Sequence, residues 1–393
     1  MGKQYISTVS ASQAHKLDIL GVAITNKFTV SVSSDGYAKF WDNKQDEVHL
    51  PKEFVQLVFI DKSGIHAVAV YENVLPSSTL KVTLLAFACF NGSIIFRYYI
   101  NDDFSTIESL TDDIKSFESN CWTPGFYRDP ESKQDYFITT KTNGTTEVHL
   151  LNIVDENEKP VITFEKFGQL KGNSSSFPNS LAICPTENKK CAVGYINGDV
   201  LLYDFVSLKL IYTFRSSDLV TSRNSQSTSI PRVLAFSPGG TLLAVARDNQ
   251  AAGSITLYDV EHGENVGSLA TPSHSAKSVV GGFAHQGWIL GLSFDEEGKH
   301  LVSCGFDKCI RVWNLETSER EATISISISD LDDTTHNDQD ESVASGVAFI
   351  KKGVRGGSGG DSNEGLCVVS FDRGIRWADR YTKSIDYIRM YGT

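Results

Sequence analysis

Residues 284–314 read AHQGWILGLSFDEEGKHLVSCGFDKCIRVWN, and the spacing of apolar residues in this stretch decides the fold. Ile289, Gly291, Leu292 and Phe294 form one alternating run, followed by a polar turn from Asp295 to Gly298. A second run covers Leu301 to Gly305, an Asp turn follows, and a third run carries Ile310, Val312 and Trp313. Alternation near period two, punctuated by Gly and Asp, predicts antiparallel strands joined by hairpins. Strands this short cannot close a core alone, so the unit must pack against further copies of itself.

The copies are present. HKLDILGVAITNKFTVSVSSDGYAKFWD, from His15 to Asp42, repeats the unit with the same spacing from turn Asp35 to Trp41 as from Asp307 to Trp313. A looser copy follows, with Asn91-Gly92 as its turn and Tyr98 or Tyr99 in the Trp position, and a third turns at Asn143-Gly144. The fourth ends in Tyr203-Asp204 and the fifth in Tyr258-Asp259; the seventh is split by insertions and ends near Trp377. The third runs therefore end near residues 41, 98, 149, 203, 258, 313 and 377, wider than the roughly 40 to 45 residues of a compact repeat, with the surplus expected in loops.

Seven units of four strands predict an all-β chain, a single seven-bladed β-propeller over residues 1–380. The seventh unit lacks a fourth strand of its own. The alternating segment within residues 1–10 (Lys3, Gln4, Tyr5, Ile6, Ser7, Thr8, Val9) is expected to supply it, removing an open sheet edge. The C-terminal tail, 381–393, competes for that place. Residues 330–342 read as an acidic loop, 351–365 as a glycine-rich loop and 215–229 as a polar link.

Composition narrows the function classes. With Lys plus Arg at 36 against Asp plus Glu at 48, the net charge is −12, which disfavours direct binding to nucleic acid. The first residues have no apolar signal core, Ile6 stands where myristoylation wants Ser or Thr, and no run suffices for a membrane span, which predicts a soluble intracellular protein. The seven cysteines are scattered and suggest neither a disulfide framework nor a zinc set, so no metal or cofactor is expected.

Two sets imitate catalytic triads: His15, Ser31, Asp35 with Trp41, and His285, Ser303, Asp307 with Trp313. Their duplication argues for buried chains that fix strand register. The string Gly356 to Gly360 matches a nucleophile elbow in letters alone, because no strand enters it and no helix leaves it.

Aligning the first strands on Ile24, Val70, Phe126, Ile183, Phe236, Phe294 and Phe349 places Leu20, His66, Trp122, Asn179, Arg232, Leu290 and Ser345 at equivalent points. Two residues earlier stand Asp18, Gly64, Asn120, Phe177, Ile230, Trp288 and Val343; the residues before the Asp or Asn turns include Ser34, Phe90, Thr142, Ile196, Phe306 and Phe371. These positions define one narrow face, and it is rich in large apolar side chains. One reading is packing against neighbouring loops. The other is a protein-binding patch of Trp122, Trp288, Leu20, Phe90, Phe306 and Phe371, with His66, Arg232 and Asp18 at its rim, suited to a short peptide with an apolar anchor and one or two polar side chains.

The aromatic-acid endings, together with AHKLDI, FTVSVSSDGYAKFWDN, AFSPGGTLLAVARD, GSITLYDVEHGENVGSL, FAHQGWILGLSF, and FIKKGVRGG followed by DRGIRW, resemble WD40 proteins and more narrowly the WD40 subunits of the superkiller complex. The resemblance covers nearly the whole chain, is weakest over 100–175, and fails at Ala378 and the last dozen residues. It implies structural tetrads at the two triad-like sets and a non-catalytic scaffold. The scaffold would bind a tetratricopeptide-repeat subunit and an RNA helicase in exosome-dependent 3′–5′ mRNA decay. It further implies a link to meiotic recombination through the protein that makes double-strand breaks, top-face binding with Trp122 as anchor, and a cytoplasmic site with room for a nuclear pool. An adaptor for another complex, such as a ubiquitin ligase, and a propeller enzyme are the alternatives; the enzyme would need convergent acids, of which the aligned positions supply only Asp18.

Overall fold

A computed structural model describes residues 4–44, 53–76, 78–111, 114–172, 176–219, 229–249, 252–271, 283–331, 342–355 and 364–381. Most of the acidic loop, of the glycine-rich loop and of the polar link, and the tail after Tyr381, lie outside these residues. The described residues form seven four-stranded antiparallel sheets, the seven-bladed β-propeller class that the repeats predict. Six sheets take their four strands in chain order. Sheet seven is completed by the N-terminal strand, Gln4–Ala11, paired antiparallel with Ile375–Tyr381, as the missing fourth strand requires.

The chain divides into two compact units. One comprises Met1–Val58, Ala251–Ile255 and Ser268–Thr393 and holds sheets one, six and seven. Its core has two parts: Val302, Ile310 and Val312 of sheet six against Leu366 and Val368 of sheet seven, and Ile19 and Trp41 of sheet one against Val369 and Trp377. The other comprises Phe59–Gln250 and Thr256–Gly267, with Phe96, Phe117 and Phe137 in one core and Ile138, Val193 and Tyr203 in the next. In both, a residue facing one sheet alternates with one facing the next, which is why the strands read as apolar on both faces.

Three expectations need correction. The extra length of the repeats does not sit in loops alone: Thr146–Glu156 and Lys159–Leu170 make one long hairpin. In sheet two the tryptophan register belongs to Arg97, opposite Leu85, and not to Tyr98 or Tyr99. In sheet seven it belongs to Ala378, which pairs with Leu366 as Trp313 pairs with Leu301, so Trp377 points to the opposite face and meets Trp41 edge-on at 5.6 Å.

Candidate protein-binding site

The two triad-like sets are closed hydrogen-bond chains. In sheet six Trp313 Nε1–H donates to Ser303 Oγ at 2.9 Å, the Ser303 hydroxyl donates to His285 Nε2 at 2.7 Å, and His285 Nδ1–H donates to Asp307 Oδ1 at 2.8 Å. Asp307 also accepts from the Gln286 N–H at 3.0 Å and from Arg311 at 2.7 Å. Sheet one repeats the chain through Trp41, Ser31, His15 and Asp35 at 3.0, 2.9 and 3.2 Å. Burial lowers both imidazoles below the usual histidine range. Burial pushes the Asp35 carboxyl up, but hydrogen bonds from His15 and from the Lys16 and Tyr37 N–H groups outweigh it and hold it at about 2. Each serine is fully buried and its oxygen already accepts from an indole, so neither is a reachable nucleophile. Such a satisfied chain locks the register of three strands at once.

That register sets the leading edge, where the first strands begin. In each of the seven first strands the ladder to the second strand skips at the aligned position: Leu20, His66, Trp122 with Thr123, Asn179, Arg232, Leu290 and Ser345. A bulged residue leaves the ladder and its side chain is re-aimed. Just outside each bulge one more backbone bond closes the edge, from Ser34, Phe90, Thr142, Ile196, Asp248, Phe306 and Phe371 N–H to the carbonyls of Asp18, Gly64, Asn120, Phe177, Ile230, Trp288 and Val343. The three sequence-aligned sets are therefore one repeated device. Asp248, absent from the sequence alignment, completes it in sheet five. Close approach is enforced at Gly305, where a Cβ would meet the Trp288 carbonyl oxygen at 2.1 Å.

Within the second unit, the device gathers four rings. His66 stacks on Trp122 at 3.9 Å between centroids with an interplanar angle of 22°. Phe177 meets the indole edge-on at 5.0 Å, and Phe90 lies 5.2 Å from His66 and 6.4 Å from Trp122. Trp122, His66 and Phe177 are half-buried while Phe90 is exposed. Burial lowers His66 to about 4, and its buried Nε2 has no hydrogen-bond partner. Arg232, expected at the rim of an aromatic patch, instead binds Asp248, Nε to Oδ2 at 2.6 Å.

Within the first unit the device yields a different arrangement. Trp288 and Phe306 are edge-to-face at 5.3 Å, and Phe306 and Phe371 at 5.9 Å. Trp288 and Phe306 remain 37% and 40% exposed, enough open ring to meet a partner. Asp18 is exposed and Leu20 half-buried on sheet one; neither joins these rings. Leu17, 52% exposed beside Asp18, falls neither at a turn nor at an aligned strand position, and Phe177 stands in an aligned set without being assigned to the patch from sequence. Sheet seven keeps the edge but replaces the tetrad: Arg376 donates to Ser370 Oγ and to Asp372 Oδ2, both at 2.7 Å.

Half-buried aromatic rings, an unpartnered imidazole nitrogen and a fixed ion pair suit recognition of an apolar anchor with neighbouring polar groups. Among known proteins, the WD domain, G-beta repeat family matches residues 277–314. Antiviral protein SKI8 of Saccharomyces cerevisiae is 35% identical over 400 aligned residues, spanning 96% of this chain and 98% of that protein. Apoptotic protease-activating factor 1 of Homo sapiens is 38% identical over 92 residues, 23% of this chain and 7% of that protein. WD repeat-containing protein 1 of Gallus gallus is 26% identical over 165 residues, 42% of this chain and 23% of that protein.

Proposed function

The chain belongs to the SKI8 family of WD40-repeat proteins, and from that premise we propose that it is a non-catalytic scaffold subunit of a superkiller complex. It holds a tetratricopeptide-repeat subunit and an RNA helicase, and so supports exosome-dependent 3′–5′ mRNA decay. The leading edge is the binding surface. What carries this reading is the pair of exposed rings, Trp288 and Phe306, fixed by a bulge and a backbone bond at an edge where a polar, solvated surface would be expected. The His66 and Trp122 stack serves as a second contact, with the imidazole nitrogen meeting a polar group of the partner. The tetrad serines, Ser31 and Ser303, have no open face from which to act as nucleophiles. The protein acts in the cytoplasm, and a nuclear pool would serve the meiotic double-strand-break protein through the same edge.

Affinity purification of the tagged chain from its own cells tests the assignment. A tetratricopeptide-repeat protein and an RNA helicase should co-purify in amounts comparable to the bait. Recovery of ubiquitin-ligase subunits in their place would assign the chain to a different complex.

A further inference from the structure

Sheet seven lacks the indole that sheets one and six seat against Ser31 and Ser303. Ala378 holds the register of Trp313, and Val368, opposite Arg376, holds that of Ser303, opposite Arg311. The space stays open as a cavity of about 300 Å³ within the first unit, between sheets six and seven. Its apolar wall includes Ile310, Ile324, Val368 and Ala378.

One wall residue is polar and deeply buried. Arg376 is 3% exposed, and its terminal nitrogens are committed to Ser370 Oγ, Asp372 Oδ2 and the Ser327 carbonyl at 2.7, 2.7 and 2.9 Å. Its Nε is buried with no hydrogen-bond partner. A buried N–H without an acceptor is costly to leave unmade, so the wall favours an occupant carrying one. The Arg376 charge is already balanced by Asp372, and the Asp330 carboxylate also borders the cavity, so a neutral acceptor is favoured over an anion.

At the mouth stand Ser7, on the strand Gln4–Ala11, and Ser325, on the strand Glu319–Ser325. Each of these strands is the last of its sheet, with one backbone edge not used within it. An extended chain would find hydrogen-bond partners along such an edge. An apolar slot shaped by a missing indole, a donor in its wall whose charge Asp372 already balances, and strand edges at its mouth call for an aromatic ring with an acceptor oxygen on a peptide backbone. We propose that this groove is a docking site for a tyrosine side chain presented by an extended segment of a partner protein. The groove uses none of the leading-edge rings, so its fate is independent of the function proposed above.

The test titrates the intact chain, labelled at isoleucine methyl groups, with N-acetyl-tyrosinamide, N-acetyl-phenylalaninamide and p-cresol, read by NMR. N-acetyl-tyrosinamide should shift Ile310 and Ile324 selectively. The phenylalanine analogue should bind about three- to tenfold more weakly, the range expected for one lost hydrogen bond. p-Cresol, lacking the backbone, should also be weaker. Ala378→Trp fills the slot and should abolish the shifts; Ile324→Trp, on the partly buried outer strand, blocks the mouth and should abolish the shift at the remaining reporter, Ile310, if the first variant does not fold. The proposal is overturned by absent shifts, by equal binding of the phenylalanine analogue, by p-cresol matching the amide, or by shifts that persist in a folded variant.

Discussion

The aromatic groups of the two units are built on the same edge device and do different things with it. In the second unit Trp122 is covered on one face by His66 and on its edge by Phe177, so much of the indole is spent on internal packing. In the first unit Trp288 touches Phe306 edge-on and keeps 37% of its surface exposed. The difference teaches that tryptophans carried by the same repeated device need not have the same task. The position of the residue fixes where a side chain leaves the sheet, while its neighbours decide whether a partner can reach it. By that criterion Trp288 is the better anchor under the proposed function, and Trp122 would combine contact with stability.

Mutation should separate the two. Trp122→Ala is expected to have the largest effect, lowering stability by roughly 2–3 kcal/mol, somewhat below the cost of deleting a fully buried ring, in chemical denaturation. Trp288→Ala should leave stability within about 1 kcal/mol and weaken the complex by about 2 kcal/mol, the size of an interface hot spot, in calorimetric titration with the tetratricopeptide-repeat subunit. If the two variants exchange these phenotypes, the distinction drawn from exposure is wrong.

Acid should act through the second unit's stack. Because the folded His66 is lowered to about 4 while an unfolded histidine titrates near 6.5, the unfolded chain binds the proton first. Stability therefore falls as pH drops from about 6.5 towards 4 and is retained above that window. Since His15, His149 and His285 shift in the same direction, the informative quantity is a difference. His66→Phe keeps a ring on Trp122 and should reduce the pH slope by about 1.4 kcal/mol per pH unit at most; an unchanged slope would show that His66 titrates normally. Arg232→Gln, which takes the charge partner from the buried Asp248 carboxylate while Ile230 N–H still donates to it, should lower stability by about 1 kcal/mol.

Much of this was legible in sequence, for physical reasons. Alternation, turn residues and the repeated spacing from turn Asp to Trp are local, and they placed the sheets and both tetrads. Aligning the first strands found all seven bulge positions, because a bulge displaces the same residue relative to the same apolar anchor in each copy. Asp248 was missed because the turn after it has no Asn-Gly or Asp-Gly signal. Tyr98 and Tyr99 drew attention as aromatics, yet the ladder gives the position to Arg97, which only pairing register could reveal. The stack of His66 on Trp122 joins two different sheets, and periodicity says which way a side chain faces without saying what it meets. Ala378 stood out as a departure from the repeat, but the slot it leaves depends on Ile310 and Ile324 of another sheet.

The most direct measurement is the dissociation constant of the purified tetratricopeptide-repeat subunit for the intact chain, with Trp288→Ala and a control at the exposed Val266 of a fourth strand measured alongside. The leading-edge account predicts a loss of about thirtyfold for Trp288→Ala, which is about 2 kcal/mol, and no change for Val266→Ala. Equal affinity for wild type and a folded Trp288→Ala, or a loss confined to Val266→Ala, would contradict it.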